Sequence, residues 1–206
     1  MLSRCSAIVV LLGLAAACGP GERGESAPEE AATVPADTVV LETTVGRIVI
    51  ALENEKAPRS VENFLLHVRS KFYDGLVFHR IEPGFVVQTG EVDAQGGKRS
   101  STVFPIESEA DNGLKNLRGT VAMARTADPH SATSQFFINL TDNVKLDFTE
   151  KTATGWGYTV FGKVVDGMDA LDAIARIPTT VWGRSYRHFP TDPPVITRAY
   201  IATRSN

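Results

Sequence analysis

From residue 38 onward the chain is a succession of short apolar, β-branched runs interrupted by glycine or proline, and this spacing constrains the fold more than any other feature. Val39–Thr43 and Arg47–Leu52 are two such runs, joined through Thr44, Val45 and Gly46, a hairpin signal with glycine in the turn. Further runs cover Leu76–Arg80, Phe85–Thr89, Thr120–Ala124, Phe136–Leu140, Thr159–Val165 and Val195–Ala202, the last following Pro193-Pro194. Turn chemistry separates them at Pro83-Gly84, Gly96-Gly97 and Asn112-Gly113. Two stretches repeat at helical spacing instead. Pro58 opens one, with Val61, Phe64, Leu65 and Val68 at i, i+3, i+4 and i+7; the other begins near Asp166, with Met168, Leu171, Ile174 and Ala175 on one face. Short strands, glycine-rich corners and two helices predict a mainly β fold, a closed or nearly closed antiparallel barrel with helices plugging its ends.

The first 37 residues are of another kind. Arg4 precedes an uncharged stretch whose core, residues 7–17, is continuously apolar. That run is shorter than the roughly 20 apolar residues a membrane-spanning helix needs, and it fits the apolar segment of a signal peptide. Leu14-Ala15-Ala16-Ala17-Cys18-Gly19 resembles a bacterial lipobox, in which the cysteine is lipidated after cleavage; Ala15 stands where leucine is usual. The alternative is an ordinary secretory signal cut after Ala-x-Ala. Residues 19–37 hold five acids (Glu22, Glu25, Glu29, Glu30 and Asp37) against Arg23, a net charge of −4, and almost nothing to bury. Such a segment is a disordered, self-repelling tether with a reach of roughly 25 Å. The expected organisation is a signal peptide over 1–17, a lipidated Cys18 and acidic tether over 18–37, and one domain over 38–206. Gly19 after the cysteine favours outer-membrane sorting where the source has an outer membrane.

The domain carries nineteen acids and nineteen bases, so it has no basic excess for nucleic-acid binding, whose affinity rests on phosphate neutralisation. Both cysteines, Cys5 and Cys18, precede it, which excludes a disulfide framework, a thiol nucleophile and a cysteine metal site in residues 38–206. No nucleophile elbow, Walker loop, HExxH or dinucleotide fingerprint is present. His67, His79, His130 and His188 have no metal-ligand spacing, and His67 reads as a packed or solvent-facing residue of the first helix. Gly96-Gly97-Lys98 is not followed by a helical pattern and reads as a surface loop. Neither a metal nor a cofactor is expected, and no exposed seam calls for an obligate oligomer, so a monomer is expected.

One segment is more informative. Phe78-His79-Arg80-Ile81-Glu82-Pro83-Gly84-Phe85-Val86-Val87-Gln88-Thr89-Gly90 resembles the signature strand-turn-strand of cyclophilins. The resemblance continues through Gly119–Arg125, Ser134–Asn139, Leu146-Asp147-Phe148 and Gly155–Val164, in family order and at family spacing from about Val39 to the C-terminus. The block from Met123, the Gly155-Trp156-Gly157-Tyr158 segment and the Pro193-Pro194-Val195-Ile196 tail look most like the bacterial branch, exported members included. What this resemblance implies is an eight-stranded antiparallel barrel with two capping helices and peptidyl-prolyl cis/trans isomerase activity on proline-containing, unfolded or flexible polypeptide segments.

Carried over position by position, the resemblance makes Arg80 the cation that donates to the prolyl nitrogen. Phe85, Met123, Phe137 and Leu146 would line the proline pocket, with Val86 beside them where many members carry Met. Gln88 would hold a substrate carbonyl and support the arginine. His79, Ala124, Arg125 and Gln135 would belong to the adjoining peptide groove, Arg125 chiefly through its backbone. Tyr158 stands where many eukaryotic members have His and can still donate one hydrogen bond. Phe136, one residue from Phe137 on a strand, should face the opposite side and serve packing. Lys145 replaces an aromatic that the family usually places before Leu146 and that contributes to binding cyclosporin, so weak cyclosporin binding is expected. The expected role is a folding catalyst for exported proteins at the cell envelope; the alternative is a module that binds proline-containing segments with incidental isomerase activity.

Overall fold

The computed structural model describes residues 38–184 and 186–202. The expected signal peptide, Cys18 and the acidic tether lie outside the described residues. Ten strands and two helices follow the order β1 (Thr38–Thr43), β2 (Gly46–Leu52), α1 (Pro58–Arg69), β3 (Arg80–Glu82), β4 (Val86–Thr89), β5 (Thr120–Met123), β6 (Phe136–Asn139), β7 (Val160–Asp166), α2 (Met168–Ala175), β8 (Thr179–Trp182), β9 (Tyr186–Pro190) and β10 (Ile196–Ile201). Among the described residues a 3-10 turn spans Val144–Leu146.

Eight strands form one antiparallel sheet in the order β10-β1-β2-β7-β5-β6-β4-β3, and β8 pairs only with β9. The predicted closed barrel is corrected here: no regular ladder joins β10 to β3. Three backbone hydrogen bonds join the start of β10 and the residue pair before it to the segment preceding β3, from Ile196 N to Leu76 O (2.8 Å), Gly75 N to Ile196 O (2.7 Å) and Phe78 N to Pro194 O (3.0 Å). The ladder cannot extend because Pro193 and Pro194 have no N–H to donate and β3 is only three residues long. The expected strand Leu76–Arg80 reduces to isolated bridges, Leu76 with Asp93 and Val77 with Val195, and regular pairing starts at Arg80.

α1 starts with Pro58 in its first turn, where the missing N–H costs nothing, and buries Val61, Phe64 and Val68. Leu65 is only half-buried; Asn63 and His67 share the inner face instead. His67 is packed, its ring nitrogens bonded to Asn63 O (2.7 Å) and Ser101 Oγ (2.9 Å). Phe64 sits at the centre of an aromatic group, with ring centroids 5.2–5.4 Å from Tyr73, Phe136 and Phe161. α2 turns Ala170, Leu171 and Ile174 inward, leaving Met168 and Ala175 at the margin of the core.

The period-two alternation of the strands divides their side chains into two sets. Val87, Val121, Met123, Phe136 and Ile138 join the main core with Phe64 and Leu171. Val86, Ala122, Phe137 and Val160 form a separate cluster with Phe85, Leu146 and Tyr158 packed against it. Phe136 therefore packs inside while its neighbour Phe137 faces the other way, as the strand periodicity predicts.

Candidate active site

Strand register assembles the second cluster. Arg80 on β3 lies opposite Gln88 on β4, Gln88 opposite Phe137 on β6, and Phe137 opposite Ala122 on β5. Antiparallel neighbours are about 4.8 Å apart, so these four residues form one row across the sheet. Two residues along, Glu82, Val86 and Asn139 form the next row. Over this face lies a cavity of about 240 Å³ lined by Arg80, Phe85, Val86 and Gln88 on one side and by Phe137, Leu146 and Tyr158 on the other, with Ala124 and Arg125 adjoining.

Arg80 is partly exposed, and its Nη2 donates to Glu82 Oε2. Its guanidinium carbon lies 5.6 Å from the centroid of the Phe85 ring. A carboxylate and an aromatic face thus fix the fork while leaving further N–H donors for a ligand. Gln88, expected to support the arginine, instead donates Nε2 to Gln135 Oε1 at 2.8 Å. Arg125 donates Nε to Gly157 O (2.7 Å) and lies 4.7 Å over the Tyr158 ring, which meets Phe137 edge-on at 5.5 Å. Gly157 is required at that corner. Its φ is +61°, and a Cβ there would fall 2.5 Å from Leu146 O. Lys145 holds its ammonium 4.3 Å from the Phe85 centroid, so two cations flank one ring at the cavity rim.

A residue-38-to-201 match to the family described as "Cyclophilin type peptidyl-prolyl cis-trans isomerase/CLD" covers most of the chain. Peptidyl-prolyl cis-trans isomerase cyp18 of Streptomyces antibioticus is 51% identical over 164 residues, spanning 80% of this chain and 98% of that protein. The chain belongs to the cyclophilin family. Peptidyl-prolyl cis-trans isomerase B of Escherichia coli is likewise 51% identical, over 150 residues that span 73% of this chain and 89% of the relative. Among solved structures, a cyclophilin-type isomerase of Cryptosporidium parvum superposes with a TM-score of 0.66 at 25% identity, covering 82% of this chain and 99% of that one. The protein is thus a cyclophilin-type peptidyl-prolyl cis-trans isomerase, an enzyme of the kind that acts on proline-containing peptides.

Nine of the twelve residues singled out from the cyclophilin resemblance line the cavity. Met123, expected in the proline pocket, is the first exception. It is 2% exposed and packs in the main core, because alternation along β5 gives Ala122 the place on the Phe137 face. His79 and Gln135 are the others: both line a second cavity on the far side of Arg80 and Gln88. His79 is 2% exposed, and burial pushes its pKa down to about 4, so the ring is neutral at physiological pH.

The resemblance did not single out the polar residues that hold the rim. Asn143 Nδ2 donates to Phe85 O (3.0 Å) and to Asn139 Oδ1 (2.8 Å); Asn139 Nδ2 in turn donates to Thr120 Oγ1 (2.9 Å). Asn116 donates its backbone N–H to Asp147 Oδ1 (2.7 Å) and its Nδ2 to Leu146 O (3.0 Å). This buried amide chain ties Phe85 to Leu146 across the cavity. The sequence signal for it is that Asn139 and Asp147 lie inside the segments that resemble the family. The β8–β9 hairpin is also not among the expected strands, although Thr179, Thr180 and Val181 are β-branched.

Proposed function

We propose that Arg80 is the catalytic cation, that Phe85, Val86, Phe137 and Leu146 hold the prolyl ring, and that Gln88 with the Ala124–Arg125 backbone and Tyr158 grips the flanking peptide. The single observation that carries this reading is the shared register of Arg80, Gln88, Phe137 and Ala122, which puts one guanidinium beside an apolar cavity of about 240 Å³.

No covalent bond breaks in the reaction. The obstacle is amide resonance, a barrier of about 18–20 kcal/mol. As the X-Pro bond twists, the prolyl nitrogen becomes pyramidal and regains its lone pair. An N–H of Arg80 aimed at that nitrogen binds the twisted state better than the planar one. A guanidinium suits the task because it stays charged and presents a rigid fork. A single such donor supplies about 3–4 kcal/mol, whereas a 10⁵-fold acceleration needs roughly 7. The remainder falls to the pocket, which holds the ring while the groove holds the residue before it.

The full chain is further proposed to be exported, anchored through a lipid on Cys18 and held off the membrane by residues 19–37, acting on exported polypeptides as a monomer at the cell envelope, on the periplasmic face where an outer membrane exists. The apolar run, the small residues before Cys18 and the acidic tether support this. The site is tested by isomerisation of a short X-Pro peptide with wild type and Arg80→Ala. Catalysis that drops about 10²–10³-fold in the variant is expected. A folded protein without catalysis would transfer the role to proline-segment binding. The anchor is tested by incorporation of labelled palmitate, which Cys18→Ser must abolish; an unlabelled, soluble exported product points to an ordinary secretory signal.

A further inference from the structure

Arg80 and Gln88 separate two cavities. Opposite the apolar one lies a polar cavity of about 410 Å³, walled by His79, Glu91 and Gln135 on the sheet side and by Tyr186, Arg187 and His188 of β9 on the other. The hairpin that supplies this second wall is fixed in place. Trp182 stacks on Phe189 with centroids 4.7 Å apart, and its indole occupies the space beside Gly96, where a Cβ would lie 2.2 Å from the ring. Tyr186 donates its hydroxyl to Glu91 Oε2 (3.1 Å), packs edge-on against His79 (5.6 Å), and has Lys98 Nζ 5.5 Å over its ring.

The charges around this cavity are unequally committed. Glu91 is already bonded to Lys98 Nζ at 2.8 Å as well as to Tyr186, and Arg80 is held by Glu82. Arg187 is exposed and has no carboxylate within salt-bridge distance among the described residues. His79, 2% exposed, leaves its buried Nδ1 without a hydrogen-bond partner. The cavity therefore offers a free cation, Arg187, beside walls whose acid is neutralised. At the rim of the neighbouring pocket, Lys145 and Arg125 are likewise without carboxylate partners among the described residues, which extends the positive character across the groove.

We propose that this cavity is a substrate subsite for an acidic side chain, aspartate or glutamate, lying within three residues of the isomerising proline, with Arg187 as its counter-ion. The proposal rests on the reading of Arg80, Phe85, Phe137 and Leu146 as the proline site. An extended peptide advances about 3.3 Å per residue, so a chain seated in the apolar cavity passes Arg80 and enters the second within two or three positions. The hairpin makes the enzyme selective for sequence around the proline, through a wall that the proline pocket does not contain.

The test is a set of single-proline, alanine-rich peptides carrying Glu, Gln or Lys at each of three positions on either side of the proline. At one position kcat/KM is expected to be about three- to tenfold higher for Glu than for Gln and lower for Lys, with the difference shrinking as salt rises. In Arg187→Gln the Glu-to-Gln ratio falls to about one, and in Arg187→Glu it inverts; a ratio is read because it cancels general effects of the substitution. Equal rates for Glu and Gln at every position, or a preference that survives Arg187→Glu, overturns the subsite. If no peptide is turned over, the Arg80 reading fails instead. Calorimetric affinities of the same peptides then decide the subsite by the same ratio.

Discussion

Asn143→Ala examines whether the buried amide chain organises the proline pocket. The side chain is 5% exposed, and its Nδ2 makes two hydrogen bonds, to Phe85 O at 3.0 Å and Asn139 Oδ1 at 2.8 Å. Phe85 O keeps a second donor, Leu140 N at 2.9 Å, so losing the first bond costs about 1 kcal/mol. Asn139 is 0% exposed, and its Oδ1 would be left with no donor, a further cost of about 1–3 kcal/mol. The sum, about 2–4 kcal/mol, corresponds to a fall in Tm of roughly 5–15 °C for a domain of this size. Activity should respond through binding. Asn143 also precedes the 3-10 turn that carries Lys145 and Leu146, so the pocket loosens while Arg80 and Glu82 stay in place. The expected result is a KM raised about five- to tenfold with kcat within about twofold, as loss of ground-state and transition-state binding together requires. Thermal unfolding and progress curves at several peptide concentrations check both. A Tm within about 2 °C of wild type, or a fall in kcat matching that of Arg80→Ala, would refute the argument.

Other substitutions separate core from site. Phe136→Ala should destabilise by about 3–5 kcal/mol as a core truncation, whereas Phe137→Ala, on the opposite face, should lose more activity than stability; comparable urea midpoints for the two would contradict the alternation. His79 adds a pH dependence. Its pKa is about 4 when folded against 6.5 for an ordinary histidine, so between those values the unfolded chain binds the extra proton and stability is lost as the pH is lowered. The loss from pH 7 to 4 should be about 3 kcal/mol larger in wild type than in His79→Asn, and parallel curves for the two would show that burial does not hold the ring neutral. Wild type should bind cyclosporin weakly, and Lys145→Trp should tighten binding at least about tenfold, with fluorescence titration as the readout. A nanomolar Kd in wild type contradicts the role given to Lys145.

Much of the architecture was written in local patterns. Spacing alone marked α1 through Val61, Phe64 and Val68 and the β1–β2 hairpin around Gly46, and it separated Phe136 from Phe137. These are nearest-neighbour properties: side chains two apart on a strand, or three and four apart on a helix, share a face whatever surrounds them. The family motifs, being contiguous blocks, located Arg80, Phe85, Gln88, Phe137 and Leu146 in the same way.

Other features depended on chain segments far apart in sequence. Whether the sheet closes was decided by Pro193 and Pro194 lying opposite the segment just before β3, a matter of which edges face each other. Met123 went to the core and Ala122 to the site because pairing of β5 with β6 set the register, which a residue's identity does not encode. Glu82 rather than Gln88 holds Arg80, and Asn143 reaches Phe85 across 58 positions of chain, since side-chain hydrogen bonds form with whatever the fold brings within about 3 Å. The hairpin at Thr179–Pro190 and its polar cavity are the strongest case. Its position is set by Trp182, Tyr186 and Phe189 packing against Gly96, Glu91 and Val92, which are distant in sequence. Sequence determined which face each residue of a strand or helix would share; tertiary structure decided which faces met, because burial and hydrogen bonding are properties of the assembled neighbourhood and not of the residue.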